Sequence, residues 1–591
     1  MFRTRSARID KLQLNILIDG EDPLNDVFYV KTSRGTQFVE LEKVIRETYK
    51  RRRHRPLGHV ILFKFNKPDE EYENSQFSKA MVLNLAHKVG SASGWPAGSE
   101  FDNSLIHIVA RVQVPASRGI GQAMVEPSDE ADSSMAKKRK LDEDCFHNTL
   151  EQYTASQAAV PWTFRDPQES PYAYIHNGLP AGQTGPPIAL YDPVFGRFLK
   201  RLQSSDLLPD TIYSQTTEHF PLSQELYGDE GVRRNTIQST FELLLDGVIV
   251  VSSTRGAQPD GIMHSPSGAP CILVETRNEM GSDDYDLSIQ ATQSYARWWH
   301  SKDLLKKCRC PSILIAIAGP WMRILGAVYL ERPIVQPLTE FMRVGKSPVE
   351  PLKLDSVARA FYRARKAREE LDDFYKNLPS LIDDQQRYFP YITHYTDSAG
   401  NRIDFKYKEN LIKKETGEDK PIYLAQTLQD PRSIVIKFVE RYNSEAHKLL
   451  AEAGLAPGLL YDGTAYPDGQ PGPNHTIIVM EYIEGVNLIA YEEPNIPDCV
   501  RTSVDDALKL LHEHDFVFGD LRDQNVMLVW DAAKVVARAM LIDFDWCGKE
   551  SEARYPHSMN PKIRWPDGVR PGKEMKKCHD DEMRKRLRFS R

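Results

Sequence analysis

The sequence FVFGDLRDQNVML at residues 516–528, followed by AMLIDFDW at residues 539–546, carries the most specific pattern in the chain. Each stretch joins an apolar segment, predicted to be a strand, to a polar turn. Asp520 and Asn525 stand five residues apart after the first apolar segment, and Asp543 follows the second. Because these polar side chains lie where strands end in loops, they are the first candidates for function.

Three further predicted elements precede this stretch. SIVIKFV at 433–439 reads as a strand with Lys437 in its middle, and Glu445 lies eight residues further on in a predicted helix. TIIVMEYIEG at 476–485 is an apolar strand that runs into a polar turn, and a helix, DDALKLLHEH, is predicted at 505–514. The order of these elements resembles that of protein-kinase-like folds.

The resemblance to kinase-like folds implies a role for each of these polar side chains. Lys437 would contact the phosphates of ATP and would be positioned by Glu445. Asp520 would orient the attacking hydroxyl or accept its proton, and Asn525 and Asp543 would hold Mg²⁺ against the phosphates. ATP and Mg²⁺ are therefore the implied cofactors of the C-terminal region.

Four features depart from the kinase pattern. The segment KPIYLAQTLQDPRS at 420–433, just upstream of Lys437, lacks a glycine-rich lid for the phosphates. Phe518 stands where the catalytic loop usually has histidine, and Asp545 where the D-F-G motif has glycine. Only about seventy residues follow Asn525, which is too few for a full peptide-binding platform. These features favour a compact kinase of the atypical or aminoglycoside type, or a degenerate domain that only binds nucleotide.

A second group of candidate residues lies in the middle of the chain. A strand, LDGVIVVSS, is predicted at 245–253, before Asp260, and the predicted strand CILVETRNE carries Glu275. Asp260 and Glu275 are separated by fourteen residues across one predicted hairpin, so we expect both carboxylates at the same sheet edge. There they can bind Mg²⁺ or Mn²⁺. Arg277, two residues along the strand, is expected on the same face beside a phosphate.

These residues resemble the PD-(D/E)xK nuclease family, with Asp260 in its PD pair and Glu275 as its acidic residue. The resemblance implies Mg²⁺-dependent cleavage of DNA, with supporting roles for Glu242 on the preceding helix and Gln290 on the following one. The lysine of the family is replaced by Arg277, which cannot act as a base but can orient phosphate and water. Whether cleavage is retained stays open.

Composition divides the chain into four segments. Residues 1–115 read as strand, strand, helix at 38–49, strand, strand, which is the order of a β-grasp, ubiquitin-like module. Residues 116–160 are a polar linker, and the segments 161–376 and 377–591 contain the two groups of candidate residues. The predicted fold class is multidomain α+β and α/β: a β-grasp-like module, a restriction-endonuclease-like α/β domain and a compact two-lobed protein-kinase-like domain.

A basic tetrad in the linker is a candidate nuclear-import signal. It consists of Lys137, Lys138, Arg139 and Lys140, in a segment rich in Ser, Gly, Ala and charges. A short basic tract in an exposed segment can lie extended in an acidic receptor groove. The alternative is a solvated run of charges with no partner.

The three modules in this order resemble the Crinkler effector family, in its kinase-plus-nuclease architecture with fungal-type kinase-like domains. LQLNIL at 12–17 is similar to the motif that opens the N-terminal module of that family, and the segment from His107 to Pro115 is similar to the motif that closes it. The resemblance implies an effector or toxin that acts in the nucleus of a host cell after unconventional secretion. DNA, ATP and a nuclear import receptor are the implied partners, together with a protein substrate if the kinase-like domain is active.

Net charge, apolar runs and cysteine spacing restrict the partners and the compartment that the sequence allows. The formal net charge of −7 excludes a global positive field that would draw the whole chain to nucleic acid or membrane. The longest apolar run, at 313–318, is far shorter than the roughly 20 residues of a membrane-spanning helix, and the N-terminus lacks the apolar region of a signal peptide. The seven cysteines have neither disulfide nor zinc spacing, which favours a reducing, intracellular compartment and predicts no membrane association.

Three functions remain open from the sequence. The first is a Mg²⁺-dependent DNA endonuclease with a kinase-like domain that phosphorylates or regulates. The second is an atypical kinase, for a protein or a small molecule, whose middle domain only binds nucleic acid. The third is a non-enzymatic interaction protein with two decayed domains.

Overall fold

The computed structural model forms two compact units, Met1–Gln122 and Ala123–Arg591. The structure describes residues 11–18, 28–33, 41, 44, 45, 48, 60–67, 106–112, 153–169, 175–253, 257–281, 286–300, 303–346, 353–378, 386–412, 421–561 and 563–590. The predicted import signal, Lys137 to Lys140, lies outside the described residues and stays a prediction.

The first unit contains a four-stranded sheet. Its strands are β1 (Lys11–Ile18), β2 (Phe28–Ser33), β3 (Val60–Lys67) and β4 (Ile106–Val112), in the order β2-β1-β4-β3. Strands β1 and β4 are parallel, and the other two pairs are antiparallel. Within the helix predicted at 38–49, the four described residues are helical, and Leu41 and Ile45 are buried. The elements therefore follow the predicted order, and the ubiquitin-like assignment stays a prediction.

The second unit begins with helices that surround a mixed sheet. The helices are α1 (Ala155–Ala159), α2 (Pro161–Glu169), α3 (Pro193–Leu202), α4 (Asp210–Gln224) and α5 (Glu230–Leu245). The strands are β5 (Gly261–His264), β6 (Pro270–Arg277), β7 (Ser312–Ala318), β8 (Trp321–Tyr329), β9 (Pro333–Pro337) and β10 (Met342–Arg343), in the order β10-β8-β7-β6-β5 with β9 on β8.

The centre of this sheet is a parallel pair. Helix α6 (Leu287–His300) connects β6 to β7, and every residue of these two strands is buried. Because helices cover both faces of the pair, the strands have continuous apolar runs with few polar residues. The predicted strand CILVETRNE is thus confirmed as β6.

The strand predicted at 245–253 is wrong. Helix α5 continues to Leu245 and ends at Asp246, which takes the left-handed conformation with φ 53°. In the rest of the segment, only Val250 forms a bridge, with Ile262 of β5. Strand β5 has four residues, so most of this apolar segment has no partner along which to form a ladder, and Val248 is 72% exposed.

Helix α7 (Lys353–Lys376) follows the middle sheet, and its arginines hold neighbouring helices in place. Arg359 and Arg363 donate hydrogen bonds to the backbone carbonyls of Asp206 and Arg201, at and after the end of α3. Two further arginines, Arg365 and Arg368, bond the last carbonyls of α5 at residues 243–245. Cationic side chains thereby satisfy carbonyl groups that have no partner within their own helix.

The C-terminal part of the second unit has two lobes. The first lobe is an antiparallel sheet in the order β11-β12-β13-β14-β16-β15, with helix α8 (Ser444–Glu452) beside it. Its strands are β11 (His394–Thr396), β12 (Arg402–Asn410), β13 (Ile422–Thr427), β14 (Ser433–Val439), β15 (Leu459–Asp462) and β16 (Thr476–Glu481).

The second lobe contains short strands and two helices. These elements are β17 (Gly485–Asn487), α9 (Asp498–Glu513), β18 (Phe516–Val517), β19 (Val526–Trp530), β20 (Val536–Leu541), β21 (Gly548–Lys549) and α10 (Lys577–Arg584). Strands β17, β19 and β20 form one sheet, and β18 pairs with β21. A separate hydrophobic core lies in this lobe and includes residues of α8, α9 and α10.

The first lobe shares its hydrophobic core with the middle region, although the predicted boundary falls between residues 376 and 377. Arg309 donates hydrogen bonds to the carbonyls of Tyr191 and of three residues at 386–389, at 2.7–3.2 Å. Phe389 stacks on Tyr407 of β12, and the hydroxyls of Tyr191 and Tyr423 are 3.2 Å apart. The middle region therefore packs against the first lobe and covers its apolar face.

Gly196 of α3 tests this junction, because a Cβ atom placed there would lie 1.5 Å from the carbonyl oxygen of Pro471. We expect Gly196→Ala to destabilise the protein by about 1–3 kcal/mol through overpacking, despite the gain in helix propensity. Thermal unfolding measures the change. Gly469→Ala is the control, since nothing lies within 4 Å of its Cβ position. Equal stability of the two variants would contradict the close packing.

Candidate functional site

The predicted catalytic loop follows β18 and brings Asp520 and Asn525 together. Asn525 donates its side-chain amide to the backbone carbonyl of Asp520 at 2.8 Å and to its carboxylate at 3.0 Å. Arg522 binds the same carboxylate with two nitrogens, at 2.5 and 2.6 Å. Burial raises the pKa of Asp520, while the bonds from Arg522 act in the opposite direction. The carboxylate is thus desolvated and held in one orientation.

A residue that the sequence reasoning missed, Asp580 of α10, supports this loop. Its fully buried carboxylate accepts hydrogen bonds from the backbone N–H groups of Phe518 and Gly519, both at 2.8 Å. His512 of α9 lies 3.1 Å from the same carboxylate. Gly519 has φ +79°, which explains the glycine before Asp520. The role of Asp580 could not be predicted from a local motif, because its hydrogen-bond partners lie about sixty residues earlier in the sequence.

Asp543 lies opposite this loop and contacts the predicted ATP-binding lysine. Its backbone has φ 74°, a conformation that is strained for a residue other than glycine and that is often found at functional sites. Lys437 donates to Asp543 at 2.6 Å and to Asp545 at 2.5 Å. Burial alone would lower the pKa of Lys437, but the two carboxylates outweigh it and raise the pKa. Burial also raises the pKa of Asp545, to about 7, although Lys437 opposes the shift.

The predicted partnership between Lys437 and Glu445 is wrong. The side chain of Glu445 is 74% exposed at the start of α8, and its ion-pair partner is Lys549 at 3.6 Å. The carboxylates of Asp543 and Asp545 take the position next to Lys437 instead. A separation of eight residues leaves Glu445 in the first helical turn.

Phe544 anchors helix α8 through aromatic contacts. It stacks on His447 of α8 with ring centroids 4.6 Å apart, and it makes an edge contact of 5.6 Å with Phe518. His447 is held on both sides, by Tyr442 and by the carbonyl of Pro457, each at 2.8 Å. Phe518 therefore belongs to the core, which explains an apolar residue where the kinase pattern has histidine.

The segment that lacks a glycine-rich lid in its sequence, at 420–433, includes β13 and the turn into β14. Residues 413–420, between β12 and β13 in the sequence, lie outside the described residues.

In the middle region, Asp260 and Glu275 lie in one hydrogen-bonded network. Asp260 accepts hydrogen bonds from Arg234 at 2.9 Å and from the backbone N–H of Thr276 at 2.7 Å. Glu275 is fully buried and accepts hydrogen bonds from Gln290 at 2.8 Å and from Ser294 at 2.5 Å. Burial and, to a smaller extent, the charge of Asp260 raise the pKa of Glu275 to about 8.

Arg277 joins the same network, as predicted from the strand period. It donates to Gln290 at 2.5 Å and to Glu230 at 2.7 Å, and it lies 3.6 Å from Asp260. Glu230, on the first turn of α5, was not predicted. A cavity of about 20 Å³ adjoins Asp260, which leaves room for one water molecule.

Glu242 does not join this network. Its carboxylate accepts hydrogen bonds from the backbone N–H of Ile249 at 2.9 Å and from Gln238 at 3.0 Å. These bonds tie the end of α5 to the segment that follows it. The predicted supporting role of Glu242 is therefore replaced by a structural one.

The two networks differ in how well they fit a metal ion. Within the described ranges, no cluster of three or more His, Cys, Asp and Glu side chains could hold a metal. In the C-terminal region, Asp543 and Asn525 could supply two oxygens and nucleotide phosphates the others, which fits Mg²⁺. In the middle region, protein donors already bind Asp260 and Glu275, so a cation there would have to displace Arg234.

A family model matches part of the C-terminal region. The model of the family described as lipopolysaccharide core biosynthesis protein (WaaY) matches residues 474–553, from β16 to β21. This stretch includes Asp520, Asn525 and Asp543. A search of curated proteins finds no match. Two lobes with these side chains between them make the C-terminal region kinase-like.

Three solved structures are similar to this chain. The PK-1 kinase of Cydia pomonella granulovirus is 16% identical over 30% of this chain and 65% of its own, with a TM-score of 0.24. Vaccinia related kinase 3 is 14% identical over 35% and 68%, with a TM-score of 0.25. The Rad53 kinase domain and SCD2 in complex with AMPPNP is 12% identical over 24% and 51%, with a TM-score of 0.18. The chain thus covers just under two thirds of the granulovirus kinase.

The helices of the structure also differ from membrane spans. None of the helices among the described residues is both long and apolar enough to cross a membrane.

The raised pKa of Glu275 predicts a pH-dependent stability. The unfolded chain releases this proton near the ordinary value of 4.5, and the folded chain near 8, so stability falls as pH rises between them. We expect Glu275→Gln, measured in EDTA by thermal unfolding, to gain stability over wild type at pH 8 and much less at pH 4.5. Glu218→Gln, at an exposed site on α4, is the control. A difference that does not change with pH would contradict the prediction.

Proposed function

We propose that the C-terminal region is an ATP- and Mg²⁺-dependent phosphotransferase. The convergence of Lys437, Asp520, Asn525 and Asp543 between the two lobes carries the proposal. Lys437 contacts Asp543 at 2.6 Å, and Asp543 lies close enough to Asp520 to influence its pKa. A backbone hydrogen bond brings Asn525 close to Asp543, because the N–H of Ile542, the residue before Asp543, donates to the carbonyl of Asn525 at 3.0 Å.

Each side chain has one task in this proposal. Lys437 holds a positive charge where the nucleotide phosphates would lie, and Asn525 and Asp543 offer oxygens to a divalent cation. Bound Mg²⁺·ATP would supply the transferable phosphoryl group. Asp520 would exchange its contact with Arg522 for the acceptor hydroxyl and orient it, and Arg522 would then be free to contact a phosphate.

The chemical class of the acceptor is open between a protein and a small molecule. The match to a lipopolysaccharide core biosynthesis family over residues 474–553 supports a small-molecule acceptor. The resemblance to Crinkler effectors supports a protein acceptor in the nucleus, which the chain would reach through the candidate import signal at Lys137 to Lys140.

This proposal predicts the loss of phosphotransfer in two variants. We expect Asp520→Ala and Asp543→Ala to lower the rate of ATP turnover, or of autophosphorylation, by at least about 100-fold. Labelled ATP with Mg²⁺ and the full chain gives the measurement. Asp506→Asn, on the exposed side of α9 in the same lobe, is the control. Turnover that survives both alanine variants, or is absent from the wild type, would contradict the proposal.

A second candidate function is Mg²⁺-dependent DNA cleavage by the middle region. The observation in its favour is that Asp260, Glu275, Arg277 and Gln290 share one buried network at the β5–β6 edge. The order α5, β5, β6, α6, β7 also agrees with the resemblance to PD-(D/E)xK nucleases. In this proposal, Asp260 would exchange its contact with Arg234 for a divalent cation and Glu275 would give up its proton, while Arg277 would remain beside the scissile phosphate. If cleavage has been lost, the middle region would bind DNA without cutting it.

Plasmid nicking tests the second candidate. We expect the full chain with Mg²⁺ to nick supercoiled plasmid, and Asp260→Asn or Glu275→Gln to abolish nicking, because each variant removes one of two metal-binding charges. Agarose gels with and without ATP measure the rate. Glu218→Gln is the matched control. Nicking that persists in both variants, or that the wild type lacks, would remove this function.

A further inference from the structure

Asp545 stands at the position where the kinase pattern has glycine. Its backbone conformation does not explain why aspartate replaces glycine there. Asp543 has a positive φ, whereas Asp545 is absent from the positive-φ residues of the described chain. A glycine is therefore not required at this position for conformational reasons. The acidic side chain must be judged by its contacts.

The main contact of Asp545 is an ion pair with Lys437, at 2.5 Å. Strand β14, which carries Lys437, is bonded on one side to β13 and on the other to β16, so the backbone of the lysine is fixed in the sheet. Its flexible side chain is buried, and its ammonium group needs acceptors to stay there. Asp543 and Asp545 supply them.

Helix α8 does not take part in this arrangement. Glu445 points to solvent and pairs with Lys549. The helix is held instead by the stack of His447 on Phe544 and by the hydrogen bond between His447 and the carbonyl of Pro457. The carboxylates that pair with Lys437 thus come from the segment Asp543–Asp545 and not from α8.

We propose that Asp545 is the positioning residue of Lys437, in the role that sequence reasoning assigned to Glu445. The inference rests on the proposed phosphotransfer function. Asp543 is expected to turn toward a divalent cation when nucleotide binds, and it then no longer balances the lysine. Lysine has three N–H donors, so Lys437 can keep Asp545 on one of them and offer another to a phosphate. Two carboxylates around one ammonium also leave a negative charge for the cation.

The first test measures Lys437 without nucleotide. Acetic anhydride acylates the neutral amine, and mass spectrometry reports the rate at Lys437 in the full chain. Losing one of two carboxylate partners is expected to weaken the ion pair that holds the ammonium group of Lys437 and to raise its acylation about tenfold in Asp545→Asn. Asp545→Gly, which restores the residue typical of the motif, should behave alike. Glu445→Gln is the matched control and should stay within about twofold of wild type.

The second test separates positioning from folding. We expect Asp545→Asn to lower the kcat of ATP turnover about tenfold or more, while the Kd for a fluorescent ATP analogue with Mg²⁺ changes about threefold or less. A small change in Kd is expected because the variant also removes repulsion between a carboxylate and the phosphates. A purely structural role would lower the thermal midpoint and affect kcat and Kd together.

The outcomes distinguish this inference from the proposed function. Unchanged acylation of Lys437 in both Asp545 variants, or an equal effect of Glu445→Gln, overturns the role of Asp545 whether or not the chain turns over ATP. A wild-type chain that neither binds nor consumes Mg²⁺·ATP overturns the proposed function, and the acylation rates still decide which carboxylate holds the lysine.

Discussion

The ion pairs between Lys437 and the carboxylates of Asp543 and Asp545 are the contacts on which the candidate site depends. They join a strand of the first lobe to a loop of the second, and they balance the buried charge of Lys437. A buried ammonium without partners would be strongly unfavourable. The left-handed backbone of Asp543 is maintained by the same contacts and by the insertion of Phe544 beneath α8. Charge balance, backbone strain and aromatic packing therefore support one another within three consecutive residues.

A second constraint lies behind the first lobe. Arg309 donates hydrogen bonds to four backbone carbonyls, and the hydrophobic core runs from the middle sheet into β14, the strand that carries Lys437. Sheets of this kind need cover on their apolar face, and here the middle region provides it. The two groups of candidate residues thus belong to one body, although they are far apart in sequence. Any coupling between them has a continuous path of packed side chains available to it.

Elements with continuous apolar runs were predictable from the sequence. The strand at 433–439 agrees residue for residue with β14, because most of its side chains are buried. The proximity of Asp520, Asn525 and Asp543 was also predictable, because two short sequence motifs contain all three residues. What failed depends on distant contacts. Asp545 was recognised only as a departure from glycine, and its partner lies 108 residues away. Asp580 has no motif, and Glu445 fits the pattern by position without meeting the lysine. The segment 245–253 has strand-forming residues but lacks a neighbouring strand long enough to pair with.

The close approach of Gly196 to Pro471 has an evolutionary consequence. Modular proteins commonly diversify by recombination, in which one domain is exchanged for another at a linker. Here such a breakpoint near residue 376 would separate α3, where Gly196 has no room for a side chain, from the loop at Pro471 that contacts it. It would also expose the apolar face of the first lobe that packs on the middle region. The middle and C-terminal regions are therefore expected to be inherited together, and gene fusions that shuffle them separately should be purged from the lineage.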